Sequence, residues 1–381
     1  MKTTTYFSSK YSVFATNLIR PTLFVSIGLA SAVSLSACQQ TPDYNYLSGE
    51  TMGTSYHISY QLPEDADEAA IQASIDERLQ QINDSMSTYQ KDSTISKFNQ
   101  LSKDTPIIID ADFSRVLDVS RIVYKQSGGA FDPTVMPLVD TWGFGSTMTV
   151  ERLQRPPTDI EIAQAKALVD FEGVVQNDQT IYKTKDGIGL DFSAVAKGYG
   201  VDVIADVLRD KYQIRNYMVE IGGEIATSGV KNQQQPWQIA IDAPIKDSTV
   251  SERQTILAIR QPINTNNQMH LATSGNYRNS VVFDSQSYSH TIDPTTGKPI
   301  AGGAPSVTVA ADSVAAADAW ATALTAMPYE KALKVAQEQD LAVMFVVLAD
   351  GAKMDGSHDS IDDWQVVQTP AMQALRADKK P

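Results

Sequence analysis

The chain has 381 residues, 42% of them hydrophobic, and is long enough to bury a sizeable core in one large domain or two closely joined ones. Its formal net charge of −14 at pH 7 excludes the basic surface with which proteins bind nucleic acid or anionic lipid. A single cysteine excludes an internal disulfide, and the four histidines show no spacing typical of zinc sites.

The first forty residues predict a lipoprotein export signal. Three basic residues are the only charges before Asp43, and they are followed by the short apolar run of residues 23–35. This order is typical of a secretory signal, and an uncleaved anchor helix stays open as the alternative. The run leads into Leu-Ser-Ala-Cys, which resembles a bacterial lipobox, so we expect removal of residues 1–37 and lipidation of Cys38.

These features predict an exported protein that a lipid anchor holds on the periplasmic face of a membrane. We favour the inner membrane, but the outer membrane stays open because Gln39 is not the aspartate associated with inner-membrane retention. The removed segment carries three basic residues and no acidic ones, so the mature chain has a formal charge of −17. The boundaries that we predict are a tether at 38–49, a folded domain at 50–365 and a weakly structured tail at 366–381.

Alternating apolar residues predict strands, and apolar residues spaced three or four apart predict helices. The predicted strands are 54–62, 217–226, 237–242, 307–312 and 341–349. The predicted helices are 71–86, 113–127, 159–169, 313–327 and 329–338, with another inside 190–212. Residues 245–268 are polar and are expected to form an irregular excursion. Because strands and helices do not alternate regularly, the pattern indicates an α+β fold.

Residues 127–145 are rich in glycine and contain Asp132 beside Pro133. Glycine allows a backbone to approach a ligand or another strand closely. By itself the stretch fits a ligand-binding loop and a tightly packed structural loop equally well, and Asp132 fits a site or a turn.

Lys197 is expected in the first turns of the helix inside 190–212. Unbonded N–H groups at a helix start favour an anion, so a lysine there is unfavourable unless an anion lies nearby. A solvated lysine is the alternative. Gly198 and Gly200 weaken the helix and indicate the close approach of another element.

A glycine pair, Gly222-Gly223, lies between two strand-like halves of residues 220–229, and a similar sequence recurs at 271–279. The pair fits a bulge or a flat surface on which a ring could lie. It is no dinucleotide fingerprint, because the required spacing and helix are absent.

His290 lies in SHTIDPTTGKP (289–299), where a predicted strand, or two strands joined at Asp284-Ser285, runs into turn-forming dipeptides. A histidine at a strand end most simply satisfies a neighbouring carbonyl. An imidazole also titrates near neutral pH, so His290 is the candidate base if other site residues lie nearby.

Asp318 and Thr322 are four residues apart on a predicted helix, so their oxygens share one face among alanines. A carboxylate and a hydroxyl in such surroundings need a partner. A hydrogen bond between the two is one interpretation. A magnesium ion with further carbonyl and phosphate ligands is the other.

Eight segments in order resemble the ApbE family, the bacterial FAD:protein FMN transferases, and cover nearly the whole mature chain. They are 51–60, 86–99, 128–145, 190–202, 220–229, 271–279, 289–299 and 306–324. The chain departs from the family at Phe192, where leucine is usual, and at Asn276, where aspartate is frequent. Residues 245–268 are the least family-like part.

The resemblance implies an α+β, ApbE-like (T-fold-like) fold of mixed sheets and packed helices, with a flavin cleft between two closely joined lobes. It implies FAD contacts at Met52, Tyr89, Ala130, Phe131, Asp132, Asp191, Lys197 and Ile292. It implies magnesium ligands at Ala194 (backbone carbonyl), Asp318, Ala321 and Thr322. It also implies that His290 is the base that activates the acceptor hydroxyl.

The implied reaction is magnesium-dependent transfer of the FMN moiety of FAD to a Thr or Ser hydroxyl of an acceptor protein, with release of AMP. Implied acceptors are membrane proteins such as subunits of the sodium-pumping NADH:quinone oxidoreductase or the RNF complex. Two alternatives stay open: an FAD pyrophosphatase that gives FMN and AMP, and a non-enzymatic flavin-binding lipoprotein. Tyr89 favours transfer over hydrolysis because it can cover a flavin. Joint retention of the site residues argues against a degenerate site; these are Lys197, His290, Asp318 and Thr322.

Overall fold

Strands and helices follow one another irregularly along the chain in the computed structural model, which confirms the α+β prediction. The structure describes residues 44–63, 66–144, 155–231, 235–245, 248, 252–262, 267–276, 280–283, 286–350, 352, 358 and 360–375. The strands are β1 (Tyr44–Thr51), β2 (Thr54–Gln61), β3 (Ile107–Ile108), β4 (Val174–Asn177), β5 (Thr180–Lys183), β6 (Tyr217–Ile221), β7 (Glu224–Ser228), β8 (Gln238–Asp242), β9 (Thr255–Arg260), β10 (Gln268–Gly275), β11 (Ser280–Phe283), β12 (Gln286–Ser289), β13 (Ile292–Asp293), β14 (Lys298–Pro299), β15 (Ser306–Ala310), β16 (Ala342–Leu348) and β17 (Trp364–Gln368). The helices are α1 (Glu68–Met86), α2 (Thr94–Gln100), α3 (Ala111–Gln126), α4 (Met136–Thr141), α5 (Asp159–Lys166), α6 (Ala196–Asp206), α7 (Val314–Thr325), α8 (Tyr329–Glu338) and α9 (Pro370–Gln373).

The predicted signal peptide of residues 1–37 and the predicted lipidation site Cys38 lie outside the described residues, as does the end of the predicted tail, 376–381. Within the described part of the chain, no helix combines the length and the apolar character that crossing a membrane requires.

The central sheet has eight antiparallel strands in the order β1-β2-β6-β7-β10-β15-β16-β17. Two of its hairpins close through two-residue turns in which both residues have positive φ. Met52 and Gly53 join β1 to β2 with φ of 50° and 73°, and Gly222 and Gly223 join β6 to β7 with φ of 61° and 106°. Such turns match the twist of the strands they connect. The glycine pair is therefore a hairpin turn, and the predicted bulge is wrong.

Helices cover one face of the central sheet and a small sheet covers the other. Along β16, Val343 and Phe345 join the core formed with α3 and α7, whereas Met344 and Val346 join a separate core with β8 and β9. Successive residues of a strand point to opposite faces, so the two cores lie on opposite sides of the sheet. A further core joins β1, β2 and β6 to α1 and α6.

A smaller apolar cluster joins the glycine-rich loop to the segment that holds His290. Leu138 and Trp142 from α4 and its C-terminal end pack there with Ile162 of α5 and with Phe283 and Ile292. Of the two alternatives for the segment before His290, one strand or two, the structure shows two, the paired strands β11 and β12. The two residues proposed to join them lie outside the described ranges.

Parts of the predicted tether and of the predicted tail form paired strands. Residues 44–49, predicted as part of the tether, belong to β1, which pairs along its whole length with β2. Residues 366–368 of the predicted tail belong to β17, which pairs with β16, and the following α9 buries Met372. Edge strands pair on one side only and bury few side chains, so their sequences show weak alternation.

Three predictions for elements in the middle of the chain also differ from the structure. The polar stretch 245–268 contains β9, which pairs with β8 to form a two-stranded sheet. The predicted strand 217–226 is the β6–β7 hairpin, because the glycine pair turns the chain within it. The predicted helix inside 190–212 is α6, and it continues through a π-helical turn over Val207–Lys211.

Candidate active site

A cavity of about 690 Å³ lies where the glycine-rich loop after α3, the start of α6, the β6–β7 turn and α7 meet. The sequence-predicted site residues that line it are Ala130, Phe131, Asp132, Asp191, Ala194, Lys197, His290, Ile292, Asp318 and Thr322. Met52 and Tyr89 line a second cavity of about 490 Å³, which shares Ser193 and Lys197 with the first. Ala321 is fully buried in α7 and is not among the residues lining either cavity.

The ammonium group of Lys197 lies between two buried carboxylates in the larger cavity. Its Nζ atom is 2.9 Å from Oε1 of Glu224 and 3.5 Å from Oδ2 of Asp318, and both acidic side chains are at most 4% exposed. Lys197 is the second residue of α6, which confirms its predicted place in the first turn. Glu224 begins β7, directly after the glycine hairpin turn. The anion expected beside Lys197 is therefore supplied by the protein itself.

The charges of this cluster do not balance. Burial lowers the pKa of Lys197, but the Asp318 and Glu224 carboxylates outweigh burial and raise this pKa, so the ammonium group stays charged. Burial and the Asp318 carboxylate raise the pKa of Glu224 to about 8, against the opposing effect of Lys197. One ammonium group neutralises only one of two carboxylates, so the cluster favours either a bound proton or an additional cation. Oε2 of Glu224 is buried with no hydrogen-bond partner among the described atoms.

Close packing of α6 on α7 sets the spacing between Lys197 and Asp318. The N–H of Gly198 donates a hydrogen bond to Oδ2 of Asp318 at 3.1 Å. A Cβ atom at position 198 would lie 2.4 Å from the carbonyl oxygen of Val314, so only glycine permits this approach. One turn later, Asp202 accepts hydrogen bonds from the first two N–H groups of α7 at 2.8 and 2.9 Å, groups that a helix leaves unpaired.

Several hard oxygen donors line the same part of the cavity. Asp318 and Thr322 share one face of α7, and Thr322 Oγ1 lies 3.3 Å from Ser274 Oγ. The contacts of Asp318 use Oδ2, and no described group donates a hydrogen bond to Oδ1. The N–H of Gly198, four residues after Ala194, donates to Asp318 instead of the Ala194 carbonyl, and no other described backbone N–H donates to that carbonyl. Oδ1 and the Ala194 carbonyl therefore keep lone pairs for a ligand.

This donor set fits magnesium, which prefers carboxylate, carbonyl and phosphate oxygens, and the surplus negative charge favours a cation. Among the described residues, no group of three or more His, Cys, Asp or Glu side chains is arranged to hold a metal. A metal here would therefore draw ligands from the backbone and from a substrate. The carbonyl of Ala321 lies inside α7 and accepts the Thr325 hydroxyl at 2.7 Å, so a metal would compete for it, and its predicted ligand role stays a sequence prediction.

The glycine-rich loop is tied to the segment before α6. Asp132 is buried, and its Oδ1 accepts hydrogen bonds from the N–H and the hydroxyl of Thr134 at 2.7 and 2.6 Å. Burial raises the pKa of Asp132, against the effect of these bonds. The N–H of Asp191 donates to the Pro133 carbonyl at 2.7 Å, and Oδ1 of Asp191 accepts the Ser193 N–H at 2.8 Å. Asp132 therefore both forms a turn and lines the cavity.

His290 directly follows β12 and is half-buried in the wall of the cavity. Its ring lies edge-on to Phe144 with 6.3 Å between ring centroids. Trp142 packs against Tyr288 at 5.4 Å and donates its indole N–H to the Gly297 carbonyl at 2.9 Å. Aromatic residues of the glycine-rich loop therefore hold the segment that carries the candidate base.

The second cavity has an apolar wall and an exposed aromatic residue. Ile82 and Met86 of α1 line it together with Met52, and Tyr89 is 81% exposed beside it. Met52 has a φ of 50°, which is uncommon for a residue with a side chain and occurs mostly where the surroundings enforce it. An apolar wall beside an exposed phenol ring offers a surface on which another planar ring can stack.

Three residues of the site were not identified from the sequence. Glu224 and Ser274 lie within the two similar glycine-containing segments, 220–229 and 271–279, and Asp202 lies in α6. The available signal was a charged residue directly after a glycine pair at the start of a short strand, as at Glu224. Sequence alone does not show that this carboxylate faces Lys197, because the pairing arises from packing of β7 against α6.

Comparison with known proteins gives one consistent family. A model of the ApbE family matches residues 52–345. A Vibrio cholerae protein named FAD:protein FMN transferase is 39% identical over 325 residues, which cover 85% of this chain and 93% of that protein. A Haemophilus influenzae protein of the same name is 39% identical over 336 residues, covering 85% and 92%. The solved structure of the flavin transferase ApbE from Vibrio cholerae has a TM-score of 0.74 and 36% identity, covering 87% of this chain and 99% of that one.

Proposed function

Because the chain belongs to the ApbE family, we propose that it transfers the FMN moiety of FAD to a Thr or Ser hydroxyl of an acceptor protein and releases AMP. The family match and the named relatives show an enzyme of the flavin-transferring type. One observation supports the more specific proposal of transfer to a hydroxyl with release of AMP. His290, Lys197, Asp318 and Thr322 line a single cavity, so a base and a phosphate-binding group can act on one substrate.

The proposed step exchanges one bond to phosphorus for another. The acceptor oxygen bonds to the phosphorus of the FMN half, and the bond from this phosphorus to the bridging oxygen breaks, so its electron pair leaves with AMP. His290 accepts the hydroxyl proton as the oxygen attacks, a role that suits an imidazole near neutral pH. The redox state of the flavin does not change, so no oxidant or reductant is needed.

We propose that Asp318, Thr322 and the carbonyl of Ala194 hold a magnesium ion, with Ala321 as a further predicted ligand. The support is the hard-oxygen donor set and the uncompensated carboxylate charge beside Lys197. A bound magnesium ion would neutralise phosphate charge and stabilise the charge that develops on the phosphoryl oxygens. Lys197 neutralises one of the two carboxylates at the same place, which lowers the repulsion that a phosphate would meet there.

We propose that FAD spans both cavities. They share Ser193 and Lys197, so a pyrophosphate near Lys197 would have space on either side of it. The exposed ring of Tyr89 and the apolar wall behind it suit a planar ring system. The predicted FAD contacts are Met52, Tyr89, Ala130, Phe131, Asp132, Asp191, Lys197 and Ile292.

We also propose that the enzyme is exported and anchored through a lipid on Cys38 at the periplasmic face, with the inner membrane favoured. The support is the sequence of residues 1–38 alone. Acceptors such as subunits of the sodium-pumping NADH:quinone oxidoreductase or the RNF complex suit this place, because a tethered enzyme would reach membrane proteins exposed on the same side.

Incubation of the mature chain with FAD, magnesium and a purified candidate acceptor tests the reaction. We expect flavin fluorescence that stays on the acceptor after denaturation and one AMP released per flavin attached. An acceptor whose target threonine is replaced by valine is the matched control and should stay unlabelled. Free FMN and AMP without an adduct would indicate a pyrophosphatase, and unchanged FAD would indicate a binding protein. Either result would contradict the proposal.

A further inference from the structure

The side chain of Asn276 connects the two residues on either side of His290. Asn276 follows the last residue of β10, and its Oδ1 accepts a hydrogen bond from the Ser289 hydroxyl at 3.1 Å and another from the Thr291 hydroxyl. The Thr291 N–H also donates to the Ser289 hydroxyl oxygen at 3.1 Å. His290 therefore lies inside a small closed network of hydrogen bonds that fixes its backbone on both sides.

The same asparagine is anchored to the rest of the site. Its backbone N–H donates to the Pro305 carbonyl at 2.9 Å, next to β15. Its amide nitrogen Nδ2 approaches the carbonyl of Thr325, the last residue of α7, at 3.4 Å. A carbonyl only accepts hydrogen bonds, so the nitrogen belongs on that side and the oxygen faces the two hydroxyls. One amide thus links the end of α7 to the segment that carries His290.

We propose that Asn276 is a positioning residue that fixes His290 relative to α7 through the two hydroxyl groups beside it. The inference depends on the proposed function, because it matters for catalysis only if His290 is the base. An asparagine suits the position because it accepts on one side and donates on the other. An aspartate would keep the acceptor for the hydroxyls and lose the donor toward Thr325.

Substitution of Asn276 tests the inference through the reaction kinetics. Asn276→Leu keeps the approximate shape and removes both hydrogen-bonding functions, so we expect kcat for transfer to fall about 10- to 100-fold, as displacement of a catalytic group does. KM for FAD should change less than kcat, because Ile292 is the one predicted FAD contact in this segment and the others lie elsewhere in the two cavities. Asn276→Asp keeps the acceptor oxygen and should lose less activity than the leucine variant. Equal losses in the two variants, or no loss in either, would contradict the proposal.

The two hydroxyl partners provide a second test that does not depend on the stability of an Asn276 variant. Ser289→Ala and Thr291→Val each remove one donor and should each lower kcat, and the double variant should approach Asn276→Leu. Thr296→Val removes an exposed threonine hydroxyl in the following turn, which makes no described contact with Asn276, and is the matched control. Losses confined to KM, or equal losses in the control, would indicate a general structural effect instead.

Two further measurements separate this inference from the proposed function. In a His290→Ala background, Asn276→Leu should cause no additional loss, whereas independent losses that multiply would contradict positioning. The ring nitrogen signals of the four histidines can be followed by NMR without any reaction, and those of His290 are assigned by their loss in His290→Ala. Asn276→Leu should change the His290 signals and leave the others unchanged. Absence of an adduct in wild-type enzyme would refute the function, whereas unchanged His290 signals would refute the positioning.

Discussion

Replacement of Gly198 by alanine should disturb the site through the contact between two helices. The new Cβ atom would lie 2.4 Å from the carbonyl oxygen of Val314, 2.7 Å from its carbonyl carbon and 2.9 Å from the Cβ of Asp318. The first two are backbone atoms, which cannot rotate away. A normal contact needs roughly 3.5 Å, so α6 and α7 must separate by about 1 Å.

Two opposing energies set the size of the effect on stability. Overpacking of a well-packed core lowers the free energy of unfolding by about 1–3 kcal/mol, while the better helix propensity of alanine raises it by about 1 kcal/mol. We therefore expect a small to moderate net loss of stability and a larger loss of activity. A shift of about 1 Å in the spacing of Lys197 and Asp318 should lower kcat on the order of 100-fold.

Gly200→Ala is the matched control, because it lies in the same helix and gains the same propensity. Its Cβ would meet the side-chain ends of Met52 and Ile221 at 3.0 and 3.3 Å, which can move. Thermal unfolding and transfer kinetics of both variants give the comparison. We expect Gly198→Ala to lose stability and kcat, whereas Gly200→Ala should keep both and show any change in KM for FAD alone, because Met52 is a predicted FAD contact. A Gly198→Ala enzyme with unchanged thermal midpoint and kcat would refute the reasoning from close packing.

Three further predictions concern the chemistry of the cavity. His290→Ala should lower the transfer rate about 10²- to 10⁴-fold, the usual cost of losing a general base, with FAD affinity retained in a fluorescence titration; undiminished adduct formation would remove the base assignment. Asp318→Asn should abolish the rise in thermal midpoint that magnesium gives the wild type, since a ligand stabilises only a protein that binds it; an equal rise in both proteins would refute the metal site. Glu224→Gln removes a carboxylate that the proposed metal would keep ionised in place of a bound proton, so the magnesium concentration for half-maximal rate should rise, by about tenfold if this carboxylate contributes about 1.4 kcal/mol to metal binding. No change in that concentration would show that Glu224 does not contribute to cation binding.

Elements with strong internal periodicity were predictable from the sequence. Helix α8 has the predicted bounds, Tyr329–Glu338, and α7 and β16 differ from prediction by one or two residues at each end. The spacing of Asp318 and Thr322 places them on one helical face wherever that helix lies. Local sequence therefore determined which side chains share a face.

Contacts between elements were not predictable in the same way. The glycine pair at 222–223 is a hairpin turn because β6 and β7 pair, and pairing is decided by the neighbouring strands. The carboxylate of Glu224 belongs to the site only because that hairpin brings it against Lys197. Likewise, Asn276 is an ordinary polar residue in the sequence, and its role depends on hydrogen bonds to residues 13 and 15 positions later.

Helix α7 is held at both ends, which explains how the separate parts of the cavity keep a fixed geometry. At its N-terminus, Asp202 accepts the first two N–H groups and Gly198 packs against the backbone. At its C-terminus, the last carbonyl faces the amide of Asn276, which holds the segment around His290. Asp318 and Thr322 lie between these two fixed ends. A single buried helix thus links the lysine, the proposed metal ligands and the proposed base, so a change at either end of α7 should alter the geometry of the proposed reaction centre.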